Sequence, residues 1–320
     1  MEQYDIFNGD ADGIFALHQY RLKYPENNAV RITGVKRDIG LLRQIEGVKN
    51  CSVTVFDISF DSNRKSVDTL LADANHITYF DHHFCGNTPH DSRLTAHINP
   101  SADTCTSIIV NDTIGGEYGL WAICGAFGDN LQQQAAEMTS RFHLDPGRTS
   151  QLKELGELFN YNGYGADIQD LHFHPDNLYQ AVAPYRDPFA FIADSEQLLT
   201  LRHGYHDDMA SALGQPEYRT DSKNRVFIFP DAPWARRVSG VFSNLKAVEK
   251  GSCAHAIISE NPDGSFRVSV RAPLDNKRNA DTLCRQFPTG GGRAGSAGIN
   301  QLPKSQFDLF IETFLKMYPD

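Results

Sequence analysis

Several acidic residues and two histidines in the N-terminal part of the chain each follow a short apolar run. Asp10 and Asp12 follow Tyr-Asp-Ile-Phe, Asp57 follows Val-Thr-Val-Phe, and Asp81-His82-His83 follows Ile-Thr-Tyr-Phe. Asp129 lies in Gly-Asp-Asn, after the apolar segment 120–127. Taken singly, Asp12-Gly13 reads as a turn, His82-His83 as a polar strand end and Gly-Asp-Asn as a loop. Gathered at one place, these carboxylates cannot stay ionised unless cations neutralise them. Oxygen and imidazole donors in one set suit a pair of Mn²⁺-like ions, whereas a thiolate-rich set would suit zinc.

The elements that must gather them alternate between strand-like and helical patterns. Residues 4–7, 30–35, 52–56 and 77–80 read as strands, and 14–24, 39–45 and 62–72 as helices. This order implies right-handed crossovers and a mostly parallel sheet with helices on both faces, so the fold class is α/β. Parallel strands end at one edge, where ligands bind in such sheets. Residues 103–200 look mainly helical, with breaks at Gly115-Gly116, Pro146-Gly147 and Asn162-Gly163. The polar stretch 201–224 reads as a linker between a domain at 1–200 and a smaller α/β domain at 225–320. In the second domain, strands are expected at 226–229, 254–259 and 266–271, and helices at 235–248, 280–287 and 306–317. An Asn-Pro-Asp-Gly turn at 261–264 signals a hairpin, and a glycine-rich loop precedes the last helix.

Composition limits the function classes. The chain has 320 residues, 40% hydrophobic and 22% charged, as two soluble globular domains would. Its formal charge of -10 argues against coating long nucleic acid by counterion release, but leaves room for a short phosphorylated substrate in one basic pocket. No run approaches the roughly 18 apolar residues of a membrane helix, and the acidic N-terminus does not read as a signal peptide. Six cysteines without a C-x-x-C pair suit reduced thiols in the cytoplasm. A G-x-S-x-G elbow and a Walker-type loop are both missing, which disfavours acyl transfer by that route and P-loop nucleotide hydrolysis. The histidines of 172–174 and 203–206 fall outside these motifs and read as surface residues.

Asp-Ala-Asp-Gly at 10–13, Asp57 at a strand end, Asp-His-His at 81–83 and the Gly-Asp-Asn aspartate closely resemble motifs I to IV of the DHH phosphoesterase superfamily. Val-Ser-Val-Arg at 268–271, Asn-Ala-Asp at 279–281 and Phe-Pro-Thr-Gly-Gly-Gly-Arg-Ala-Gly-Ser-Ala-Gly at 287–298 resemble that family's associated substrate-binding domain. The resemblance covers nearly the whole chain. It implies that Asp10 and Asp57 hold a first Mn²⁺, and that Asp12, Asp57, His82 and Asp129 hold a second, with Asp57 bridging. Asn8 stands where family members often carry a histidine or a further aspartate, and is a weaker ligand. His83 would face the substrate phosphate. Two such ions acidify a water for in-line attack on phosphorus. Gly290, Gly291 and Gly292 would form an anion nest, and Arg271 and Arg293 would bind phosphate. Arg293 replaces the family's usual histidine and keeps a permanent charge. Thr104, Thr106 and Ser107, at a helix start, would donate to substrate or cap the helix.

The activity these features imply is a Mn²⁺-dependent phosphodiesterase of the nano-RNase or oligoribonuclease type, which trims short oligonucleotides or linear dinucleotides to mononucleotides. The alternatives are a cyclic dinucleotide phosphodiesterase and, in a different class, a catalytically silent nucleotide-binding sensor. The partner is a short nucleotide or dinucleotide, with no long duplex and no membrane; the chain alone or a homodimer would serve. A processive RecJ-type nuclease would need an added nucleic-acid-binding domain, and a family pyrophosphatase would carry a Ser-Arg-Lys type of motif in place of the glycines.

Overall fold

The computed structural model describes residues 1–319 and divides into two compact units, Met1–His203 and the chain from Gly204 onward. In the first unit the order is β1 (Gln3–Phe7), α1 (Ala11–Lys23), β2 (Val30–Thr33), β3 (Ser52–Phe56), α2 (Phe60–Ala72), β4 (His76–Asp81) and β5 (Leu94–Ile98). The helices α3 (Thr106–Thr113), α4 (Gly119–Gly128), α5 (Gln132–Arg141), α6 (Pro146–Gly163), α7 (Pro175–Val182) and α8 (Pro188–Asp194) follow, and α9 (Glu196–Leu213) begins in this unit and ends in the second. The strands form one sheet, β2-β1-β3-β4-β5, in which every pairing is parallel, as the alternating pattern predicts.

Side-chain alternation covers both faces of this sheet. Val53, Val55, Ile77 and Tyr79 share a buried cluster with Phe60, Val67 and Leu70 of α2. On the other face Phe56 and Phe80 stack with ring centroids 5.5 Å apart, and Tyr20 of α1 meets both edge-on. Every strand therefore releases its chain at the same edge, beside the start of α1. The helix expected at 39–45 is a 3₁₀ turn over Leu41–Ile45, and β5 is an unforeseen edge strand.

The second unit holds β6 (Glu217–Thr220), β7 (Asn224–Phe229), α10 (Pro233–Glu249), β8 (Ala254–Glu260), β9 (Phe266–Arg271), α11 (Ala280–Cys284), β10 (Gly290–Arg293), β11 (Ser296–Leu302) and α12 (Phe307–Met317). Its sheet runs β10-β11-β9-β8-β7-β6, with β7 and β8 parallel across α10 and the other neighbours antiparallel. The Asn261–Gly264 segment makes the expected hairpin turn, closed by Gly264 N–H to the Asn261 carbonyl at 2.9 Å. In the middle of the sheet Arg225, the buried His255 and Arg271 are register partners on three neighbouring strands, so their side chains leave the same face.

Two expectations are corrected. The stretch 201–224 is not an irregular linker: α9 runs to Leu213, and β6 occupies 217–220. In α9 the buried positions Leu198, Leu201, Asp208, Met209 and Ala212 recur at helical spacing, but one of them is charged. Asp208 is satisfied by a two-pronged ion pair with Arg237 at 2.6 and 2.9 Å, so the apolar period is broken where a salt bridge replaces a hydrophobic residue. The glycine-rich segment is likewise a strand, β10, which pairs with β11.

Candidate metal centre

Asp10 is the N-cap of α1: its Oδ1 accepts from Gly13 N–H at 3.0 Å, a bond that fixes the first turn. Asp12 lies further into that turn. Its Oδ1 accepts from Ser107 N–H at 2.7 Å and its Oδ2 from Thr106 N–H at 2.8 Å. These are the orphan donors at the start of α3, and the helix dipole there favours the anion. Asp57 leaves β3 with φ at 58°, a left-handed conformation that Asp tolerates better than most residues. Its Oδ1 accepts from Thr106 Oγ1 at 3.1 Å and lies 3.3 Å from His82 Nε2. Asp129 caps the C-terminus of α4, with Oδ2 3.7 Å from His82 Nε2.

The convergence expected at the sheet edge is therefore present. Ligand atoms of Asp12, His82 and Asp129 lie within 4.8 Å of one another, and so do those of Asp57, His82 and His83. The carboxylate and imidazole donors of Asp12, His82 and Asp129 suit a divalent ion, and Asp57 Oδ1 stands 3.3 Å from the same His82 Nε2.

His83 has a different attachment. Its Nδ1 lies 2.6 Å from Asp81 Oδ1, whose other oxygen accepts from Phe60 N–H at 2.9 Å at the start of α2. Asp81 is fully buried, while the His83 side chain is 42% exposed, which leaves Nε2 as the ring nitrogen available to a ligand. Asp81 is thus a positioning residue.

Crowding shows in the protonation equilibria. Burial first, then the neighbouring Asp10 and Asp12, holds the Asp57 carboxyl well above the usual carboxylate range. Burial also raises Asp129. Burial works against Asp10 as an anion, but the charge and hydrogen bond of Lys36 prevail and lower its pKa. For His82, burial opposes protonation, yet the bond to Asp57 and the charges of Asp57, Asp12 and Asp129 carry its pKa up to about 10. His83 is raised as well: burial opposes protonation, and the Asp81 contact outweighs it.

The first-ion set does not fit a metal in the same way. Besides the shared Asp57, it rests on Asp10 and Asn8. Asp10 Oδ2 lies 2.5 Å from Lys36 Nζ, and Asn8 directs its Nδ2 to the Lys36 carbonyl at 3.2 Å. The Asn8 Oδ1 is buried without a partner.

Other candidates part from the cluster or change role. Thr106 and Ser107 are fully buried; their N–H groups and the Thr106 hydroxyl hold Asp12 and Asp57, and the Ser107 hydroxyl donates to the Asp12 carbonyl at 2.9 Å. They position the carboxylates and do not reach a substrate; Thr104, 8% exposed, precedes them. In the second unit Gly290–Arg293 is extended and ladder-paired, so it does not present the alternating backbone of an anion nest. Gly292 is needed for close packing: with φ at 137°, an added Cβ would meet Ala297 Cα at 2.5 Å. Arg293 is exposed at the hairpin end. Arg271 is braced by Asn244 Oδ1 at 2.8 Å and Ser269 Oγ at 3.0 Å. His172 bonds Tyr161 at 2.7 Å and His174 caps α7, so neither forms a metal site. Lys36 escapes a search for acids and histidines, although it follows β2 as the aspartates follow their strands.

The architecture and its strand-edge cluster place the chain in a class of fold that DHH-domain proteins share, as the sequence resemblance implies. Three similar solved structures are the exonuclease RecJ bound to manganese, the DHH domain of a member of a family of ribosomal proteins, and the pGpG-specific phosphodiesterase PggH from Vibrio cholerae. The RecJ structure has a TM-score of 0.66 at 13% identity and covers 100% of this chain and 91% of its own. The DHH domain from the ribosomal-protein family gives 0.63 at 13%, covering 99% and 86%, and PggH gives 0.57 at 13%, covering 99% and 98%. No family model matches the sequence, and no curated protein does. At these identities the likeness is one of fold.

Proposed function

We propose that this protein is a metal-dependent phosphodiesterase that cuts short oligonucleotides or linear dinucleotides to mononucleotides, with Mn²⁺ as its preferred ion. The observation that carries the reading is that His82 joins two overlapping ligand sets, one with Asp12 and Asp129 and one with Asp57 and His83, the last oriented by Asp81. When bound there, a divalent ion supplies Lewis acidity, which acidifies water and offsets charge on a phosphoryl group. Mn²⁺ accepts the His82 imidazole more readily than Mg²⁺ does. The protein's own groups do the rest. Asp12 and Asp57 are fixed by Thr106 and Ser107, so the ligand geometry costs little reorganisation. His83, protonated more readily than a free histidine, offers Nε2–H to a nonbridging phosphate oxygen.

The net charge of -10 favours a short substrate over a long polyanion. The similar structures of an exonuclease and of a pGpG-specific phosphodiesterase support the same class. Six free cysteines, five of them buried, are consistent with work in the cytoplasm, and no helix among the described residues is long and apolar enough to cross a membrane.

The test is a Mn²⁺ assay over linear dinucleotides, 5- to 24-mers, cyclic dinucleotides, pyrophosphate and 3′-phosphoadenosine phosphate. Linear dinucleotides and the shortest oligomers should turn over fastest, and chelation should abolish activity. Preference for cyclic dinucleotides would redirect the reading to that substrate. Binding of nucleotides without turnover would make the protein a sensor.

A further inference from the structure

We propose that Lys36 is a built-in replacement for the first metal ion, so that the site binds one divalent ion per chain where the family motifs it resembles imply two. This rests on the metal-dependent reading above.

The lysine is held as a ligand would be held. Its ammonium lies 2.5 Å from Asp10 Oδ2, 3.6 Å from Asp129 Oδ1 and 2.9 Å from Asn160 Oδ1, and 5.5 Å from the ring centre of Tyr164. Two carboxylates, a carboxamide oxygen and an aromatic face make a cation cradle. The backbone of the lysine is pinned from both sides: its N–H donates to the Gly163 carbonyl at 2.9 Å, and its carbonyl accepts from Asn8 Nδ2 at 3.2 Å.

Asn8 is the link between the two substitutions. At this position a histidine would offer a ring nitrogen to an ion. An asparagine has a carboxamide N–H instead, and it is spent on holding Lys36. Asp10 has one oxygen on Gly13 N–H and the other on the ammonium. Asn8 Oδ1 remains buried without a partner. A point charge of +1 on a tethered stem thus stands where a free ion of +2 would otherwise be recruited. It needs no ion from solution, and it leaves the Asp12, Asp57, His82 and Asp129 set to bind the single ion.

The experiment counts ions. Metal-free full-length protein is titrated with Mn²⁺ by calorimetry, with native mass spectrometry and electron paramagnetic resonance on the same samples. The wild type should take up one Mn²⁺ per chain, with the spectrum of an isolated ion. Asp10→Asn should leave the count at one and change the dissociation constant less than about threefold. Lys36→Ala frees Asp10 Oδ2 beside the Asn8 Oδ1 that is already unpartnered, and should raise the count to two, with a spectrum broadened by coupling between neighbouring ions. Two ions in the wild type, falling to one in Asp10→Asn, would overturn the inference and leave the metal-dependent reading standing. A folded Lys36→Ala that still binds one ion would overturn it too. No ion bound by the wild type would overturn both. If Lys36→Ala does not fold, the wild-type and Asp10→Asn counts decide.

Discussion

Asp57 carries more of the site's conflict than any other residue: it is buried, left-handed in its backbone and crowded by Asp10 and Asp12. Asp57→Asn should therefore remove nearly all turnover on every substrate, because the carboxylate that faces His82 is lost. A variant that keeps more than about a tenth of wild-type kcat, a loss of under ~1.4 kcal/mol, would show that Asp57 is not a metal ligand. Stability should move the other way. The folded state holds the Asp57 proton more tightly than the unfolded chain does, so ionising it at neutral pH opposes folding. A neutral carboxamide of the same shape relieves that cost, and metal-free Asp57→Asn should melt no lower than wild type in the presence of chelator. A fall of several degrees would assign the residue a structural role instead. That pairing of lost activity with unharmed stability marks a carboxylate placed for a cation.

The strands that carry the site were legible because each is a short β-branched or aromatic run buried on both faces. Ser52–Phe56 ends where its apolar run ends, and the places of Asp57 and Asp81-His82-His83 follow from where such runs stop. Edge strands were not legible: Leu94–Ile98 and Glu217–Thr220 are half or wholly exposed, so they lack an apolar period. The triple glycine reads as a loop because the reasons for Gly290 and Gly292 lie in packing against α11 and β11, which sequence spacing does not display. Asp129 ends a helix and not a strand, so its place in the cluster comes from the family motif and not from the sheet-edge rule. The helix that carries it makes a prediction of its own. Gly156 of α6 lets the two backbones touch, since an added Cβ would stand 2.1 Å from the Cys124 carbonyl oxygen of α4. Gly156→Ala should cost about 1–3 kcal/mol, read as a lower melting temperature. Because α4 must shift to make room, Mn²⁺ affinity should weaken in the same preparation. Unchanged melting and affinity would mean that α4 and α6 are not the rigid support of Asp129.

At the scale of the whole chain, the resemblance of the second unit to a substrate-binding domain predicts a division of labour in which that unit recognises part of the substrate. Arg293 is the test of that division, being exposed at the end of its hairpin. Arg293→Ala should lower kcat/KM for a dinucleotide about ten- to a hundredfold, the loss of one charge-assisted contact of roughly 1.5–3 kcal/mol. Bis-p-nitrophenyl phosphate, which has no distal phosphate, should be hydrolysed almost as before, whereas His83→Ala should impair both. Equal losses on both substrates in Arg293→Ala would refute the division. The row Arg225–His255–Arg271 in the second sheet sets a further condition on how the molecule can be handled. Burial, then the adjacent Arg225, depresses the His255 pKa to about 4, against 6.5 when unfolded. The unfolded chain therefore binds the extra proton first, so stability is intact above pH 6.5 and declines as pH falls toward 4, where the loss levels off. The decline is worth on the order of 2–3 kcal/mol by about pH 4.5. His255→Leu should melt like wild type at about pH 7.5 and fall less steeply below about pH 6.5; parallel curves for the two proteins would show that the imidazole does not titrate on unfolding. In effect the central sheet of the second unit contains its own acid fuse, and mildly acidic buffers, which leave most carboxylates ionised, will weaken it before they reach them.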